Sequence, residues 1–217
     1  MDYQGILTFT MEMLGTVAFA ASGAMVGVER NMDIFGVGVL GVVTAVGGGM
    51  IRDIVLGIIP PNVFVHPIYA LVATLTSCLV FGVLYCKREL LEGHLRAVYD
   101  RIMLVMDSIG LGIFTVVGVT AGIRQGYLDN IFLLVFLGTI TGVGGGLLRD
   151  MMAGVPPYIF VKHIYACASI VGAFACAFIY RFAGPAEAMV AGSAAVILIR
   201  YLAAHYRWNL PRLSPRE

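Results

Sequence analysis

Charge is what this chain has least of. Asp, Glu, Lys and Arg make up 12% of its 217 residues, and 14 basic side chains against 13 acidic ones leave a net charge of +1. Without a basic excess or a soluble basic domain there is no case for a nucleic-acid partner. Cysteine is also scarce. Cys78, Cys86, Cys167 and Cys176 stand without a Cys-x-x-Cys pair or a close histidine, so they read as small packing residues and not as zinc ligands. A nucleophile-base set, a metal motif and a phosphate loop are all missing, so the chain is not expected to be an enzyme and no cofactor is implied. His66, His94, His163 and His205 fall near the ends of apolar runs, where interfacial roles are the default. The basic leader of a removable signal peptide is missing as well, with Asp2 in its place, so the first apolar stretch is expected to remain as structure.

What the chain has in abundance is apolar surface. A hydrophobic content of 59% and a mean hydropathy of +0.91 exceed what a soluble core of this length needs. The expectation is an all-α integral membrane protein. Stretches able to cross about 30 Å of hydrocarbon as helices run over 5–28, 34–57, 67–86, 102–123, 129–153, 163–181 and 186–206, which predicts seven spans. Lys and Arg set their direction. With the N-terminus outside, Arg30, Lys87, Arg88, Arg96, Arg101, Lys162, Arg207, Arg212 and Arg216 all fall inside, while the outer side keeps Arg124 and Arg181. The C-terminus is therefore expected in the cytoplasm.

Within the apolar runs one motif occurs twice. Gly47-Gly48-Gly49-Met50-Ile51-Arg52-Asp53 and Gly144-Gly145-Gly146-Leu147-Leu148-Arg149-Asp150 are each followed by a Pro-Pro step, Pro60-Pro61 and Pro156-Pro157. The similarity spreads outward: Glu12 matches Asp107, Gly15 matches Gly110, Phe19 matches Phe114, Gly23 matches Gly118, and Ile68-Tyr69-Ala70 matches Ile164-Tyr165-Ala166. Two three-helix units over 1–86 and 102–181, a linker over 87–101, and a seventh span with a short tail over 182–217 account for the pattern. Each unit crosses an odd number of times, so the second must run opposite to the first, about a pseudo-twofold axis in the membrane plane.

Three consecutive glycines weaken a helix, each by about 1 kcal/mol relative to Ala, so a kink or a short unwound segment is expected at each triad. Freed carbonyls at Gly47, Gly48, Gly144 and Gly145 would then offer a site for K+ or Na+. The alternative is close helix packing, which Gly138, Gly142 and Gly146 at four-residue steps also suggest. Charged side chains at membrane depth need partners. Similar depths pair Glu12 with Arg52 and Asp107 with Arg149; the alternative is that each arginine is neutralised by its neighbour, Asp53 or Asp150, or snorkels to headgroups.

The doubled Gly-Gly-Gly-x-x-Arg-Asp, the Pro-Pro steps and the three-plus-three-plus-one plan resemble the bacterial branch of the trimeric intracellular cation channel family, TRIC, whose sequence domain also carries the label glycine transporter. The resemblance implies a homotrimer with one hourglass pore per subunit, conducting K+ through glycine hinges on the second and fifth spans. The Lys-Glu-Val motif of the animal members is absent, so their lipid or calcium regulation is not carried over. Ser22, Thr44, Ser108, Thr115, Thr139 and Thr141 are candidate pore-lining hydroxyls, although such hydroxyls often bond back to their own helix. The rival reading is a secondary transporter for a small zwitterion such as glycine. Lys87, Arg88 and Arg96 would attract anionic lipid at about 1 kcal/mol each, or simply signal topology.

Overall fold

The structure, a computed structural model, describes residues 3–87, 95–161 and 164–208. Its helices are α1 (Tyr3–Glu29), α2 (Ile34–Val55), α3 (Asn62–Val65), α4 (Ile68–Cys86), α5 (Arg96–Arg124), α6 (Ile131–Met152), α7 (Tyr158–Val161), α8 (Ala166–Tyr180) and α9 (Pro185–His205). Six of these, α1, α2, α4, α5, α6 and α9, are long and apolar enough to cross a membrane. The stretch expected as the sixth span holds α8, whose 15 residues rise only about 22 Å, short of a full crossing.

Local chemistry explains where the two glycine-bearing helices start and stop. Asp33 caps α2 by accepting from the Gly36 N–H at 2.7 Å, and Asn130 caps α6 by accepting from the Leu133 N–H at 3.0 Å. Both helices end on a glycine with positive φ, Gly57 at 71° and Gly154 at 66°. Beyond each, the Ile58 and Val155 N–H groups reach back to the Asp53 and Asp150 carbonyls at 2.8 and 3.0 Å, which closes a Schellman turn.

Helices α1 and α5 form the centre. They pack antiparallel: Arg124 at the end of α5 bonds Thr8 near the start of α1 at 2.8 Å, and the Tyr99 hydroxyl near the start of α5 bonds the Met25 carbonyl at 2.6 Å. Around this pair, α1 packs on α2 and α4 while α5 packs on α6 and α8, and α2 crosses α6. Helix α9 leans on α5 and α8, where Gly192 lies against Cys176, Val116 and the Gly172 carbonyl. The end at which α1 starts is called the N-face below, and the end at which α9 finishes the C-face. Outward, α4 presents Leu71, Leu75 and Leu79, all more than half exposed, as an apolar surface suited to lipid or to another subunit.

The glycine triads do not break their helices. Both α2 and α6 run as α-helix through Gly47-Gly48-Gly49 and Gly144-Gly145-Gly146, so of the kink or short unwound segment expected there, the unwound segment is not seen. The glycines serve the crossing instead. A Cβ on Gly48 would strike the Thr141 carbonyl, a Cβ on Gly145 would strike the Thr44 carbonyl, and a Cβ on Gly144 would stand 3.1 Å from the Gly48 Cα. Two backbones in direct contact explain why glycine is tolerated despite its helix cost.

Candidate functional site

Each Arg-Asp pair closes a local clasp. Arg52 donates from Nε and Nη2 to Asp53 Oδ1 at 2.9 and 2.7 Å, and Asp53 Oδ2 accepts from the Asn62 N–H at 2.8 Å. In the second unit Arg149 Nε donates to Asp150 Oδ1 and the Tyr158 N–H to Asp150 Oδ2, both at 2.8 Å. The aspartate thus neutralises its arginine and pins the short helix, α3 or α7, that follows the Pro-Pro step.

Beyond the clasp the two units differ. Arg149 Nη1 reaches Asp107 Oδ1 at 2.7 Å and the Ser22 hydroxyl at 2.5 Å. Asp107 also receives the Tyr165 hydroxyl at 3.4 Å and faces Arg200 Nη2 at 3.5 Å. Arg149 and Asp107 are fully buried and Arg200 is 1% exposed, so this C-face cluster is dry. Arg149 lies over the Tyr158 ring at 5.0 Å and Arg200 over the Tyr165 ring at 4.7 Å. On the N-face, by contrast, the expected Glu12–Arg52 pair does not form. Glu12 accepts from the Tyr69 hydroxyl, and Arg52 turns to Asp53. A reason lies in the partner set: the position matching Ser22 is Val117, which offers Arg52 no acceptor.

The N-face half holds a cavity of about 290 Å³. Glu12, Arg52, Asp53, Asn62, Tyr69 and Arg124 line it, exposed His66 stands at its rim, and Thr16 and Ala45 lie deeper. A smaller cavity of about 130 Å³ shares Glu12, Arg52 and Arg124 and adds Thr8 and Thr120. Phe114 borders the larger one, tilted against Phe19 with ring centroids 5.3 Å apart. Beyond this pair of matching phenylalanines lies the C-face cluster.

The expected pore hydroxyls do not border the cavities. Thr44, Ser108, Thr115 and Thr141 bond back to Leu40, Leu104, Leu111 and Leu137 at 2.5–2.7 Å, and the Thr115 hydroxyl also meets Ser169 at 2.7 Å. Their own helix carbonyls are the nearest acceptors in an apolar surround. Ser22 belongs to the arginine cluster, and the Thr139 hydroxyl is buried without a partner among the described residues. On the C-face surface Arg96 pairs with Glu29 and, at 3.4 Å, with Asp100, while Lys87 is exposed; Arg88, His94 and His163 lie outside the described residues.

Sequence reasoning overlooked Arg200, Arg124, Tyr69, Tyr165 and Asn62 as site residues. An arginine inside the seventh apolar run was a sufficient signal for Arg200. The repeated Ile-Tyr-Ala was one for the two tyrosines.

Comparison with known proteins fits this geometry. The family model described as Glycine transporter matches twice, over residues 9–85 and 104–181. The chain is 37% identical over 214 residues to the UPF0126 inner membrane protein YadS of Escherichia coli (strain K12), covering 98% of this chain and 99% of that protein. A UPF0126 membrane protein of Deinococcus radiodurans is 34% identical over 203 residues, covering 93% and 89%. Among solved structures, a TRIC cation channel analysed for its conductance has a TM-score of 0.80 at 32% identity, over 96% of this chain and 98% of that one. A prokaryotic TRIC channel in 0.5 M KCl gives 0.84 at 28% identity, over 94% and 99%. The chain belongs to the TRIC cation-channel family. It is a multi-pass membrane protein, and as in any TRIC chain its polar groups within the bilayer must face one another or water. In this TRIC protein they do both, sealed at the C-face and open to a cavity at the N-face.

Proposed function

We propose that this TRIC chain is a cation channel that passes K+ along one pathway in each subunit of a homotrimer. The observation that carries the reading is the N-face cavity, lined by Glu12, Asp53, Asn62 and Thr16 and bordered by Phe114. A passive cation path needs polar groups without a tight cage, because a site that binds strongly releases slowly. Glu12 and Asp53 supply negative charge while Arg52 and Arg124 prevent a deep well. The C-face cluster and the Phe19–Phe114 pair block the path, so this is its closed form.

Two inverted three-helix units plus α9 are the plan we assign, with residues 1–86 and 102–181 as the units. The double family match, the antiparallel packing of α1 against α5 and the paired clasps support it. The lysine and arginine bias supports an extracellular N-face and a cytoplasmic C-face.

Planar-bilayer recording of the purified protein under a KCl gradient tests the function. Currents reversing near the K+ potential are expected, and Arg52→Ala, which leaves Glu12 and Asp53 in excess, is expected to raise them. Reversal at the chloride potential, or no current from reconstituted protein, overturns the reading. A second reading has its own support: a cavity holding both a carboxylate and guanidinium groups, open on one face while the other is sealed, suits alternating access by a small zwitterion. Saturable glycine uptake into liposomes without K+ current would favour it.

A further inference from the structure

Helix α9 lies beyond both segments that match the family model, yet it contributes one of the largest fully buried side chains of the molecule. Arg200 is 1% exposed, its Nη2 lies 3.5 Å from Asp107 Oδ2, and its guanidinium rests on the Tyr165 ring at 4.7 Å. Its Nε and Nη1 have no hydrogen-bond partner among the described residues, and neither has Asp107 Oδ2 within hydrogen-bond range. An arginine held this way is not there for good hydrogen bonding. A fully satisfied buried guanidinium would use its five donors, so what Arg200 supplies is charge.

The repeated motif leaves a charge deficit at both faces. Arg149, Asp107 and Asp150 together carry one net negative charge, and so do Arg52, Glu12 and Asp53. At the N-face Arg124 balances it from the lining of the cavity, bonded to Thr8. At the C-face Arg200 balances it from inside the protein.

We propose that Arg200 is a positioning residue that latches the C-face half shut. It holds Asp107 between two guanidiniums, neutralises the cluster, and so removes the uncompensated negative charge that would otherwise draw in water and cations. The packing on α5 of α9, which lies outside the repeat, then decides whether the C-face opens. The inference rests on the cation-channel reading for its consequence, but the latch itself is a statement about access.

Access is therefore measured separately from conduction. Cys78, Cys86, Cys167 and Cys176 are replaced, Ser22→Cys is introduced beside Arg149, and a small cationic thiosulfonate is applied to the full chain in detergent. With Arg200→Gln, labelling is expected to accelerate by about tenfold or more, the gain that one sign of charge gives a cleft for counter-ions. Arg200→Lys, which keeps the charge, restores the slow rate. K+ flux from liposomes containing Arg200→Gln rises in parallel. Equal labelling with and without Arg200, in protein of unchanged oligomeric elution, overturns the latch. If Arg200→Gln does not fold, Asp107→Asn with Arg200→Gln removes the imbalance: a double variant that folds and labels slowly shows that the charge of Arg200 closes the cluster and supports the latch, whereas rapid labelling of it, or its failure to fold, makes Arg200 a structural anchor and overturns the latch. Faster labelling without K+ flux from any form sinks the channel reading and leaves the latch standing.

Discussion

At the level of single residues, the site is governed by which carboxylate meets which arginine. Asp107 lies between Arg149 and Arg200 with no water access, whereas Glu12 bonds a tyrosine at the edge of a cavity. A buried ion pair adds little over an apolar substitute, but removing one partner strands the other. Asp107→Ala should therefore destabilise the protein by about 3–5 kcal/mol, since two arginines lose their common acceptor. Asp100→Ala, which deletes an exposed partner of Arg96, should cost about 0–1 kcal/mol. Denaturant unfolding followed by circular dichroism in one detergent compares the two directly. Similar losses for both would mean that Asp107 is not under the charge load described.

At the level of helices, the crossing of α2 and α6 is set by glycine on both sides. Gly48→Ala places a methyl against the Thr141 carbonyl, and backbone cannot move aside as a side chain can, so a loss of about 1–3 kcal/mol is expected. Gly38→Ala, in the same helix but with no atom within 4 Å of the added carbon, should be stabilising by up to about 1 kcal/mol. Thermal unfolding of the pair checks the opposite signs. The same triads show where sequence reading stopped. The all-helical membrane class and six of the spans followed from hydropathy, because this depends on composition along one chain. Whether Gly48 unwinds or packs depends on what lies across from it, and nothing near residue 48 announces Thr141. Likewise Asp53 and Asp150 were legible as neutralisers of their neighbouring arginines, but not as the acceptors that hold Asn62 and Tyr158 after the Pro-Pro turns. Arg200 was visible as an anomaly, but its partner lies 93 positions away, on α5. For the hydroxyls the geometry takes the second of the two readings offered, since Thr44 and Thr141 each use the acceptor four residues back.

For the whole molecule, the two segments that match one family model adopt unlike states. Where α1 offers Ser22 to Arg149, α5 offers Val117 on the other side, and where α9 inserts a buried Arg200, Arg124 bonds Thr8 at the edge of a cavity. The asymmetry is thus built from substitutions and from one added helix, and it makes the N-face the open end. It also gives the membrane orientation a direct test, because depth and access are linked. Thr16 lines the N-face cavity and Ser22 lies beyond the Phe19–Phe114 pair. In a cysteine-free background, Thr16→Cys should react with a membrane-impermeant charged thiosulfonate in intact cells, and Ser22→Cys should stay slow from both faces while Arg200 is present. Labelling of Thr16→Cys from inverted vesicles alone would reverse the orientation while leaving the asymmetry intact. Equal labelling of both positions from both faces would show a water-filled path already continuous past the phenylalanines, and would defeat the closed form assigned to this structure.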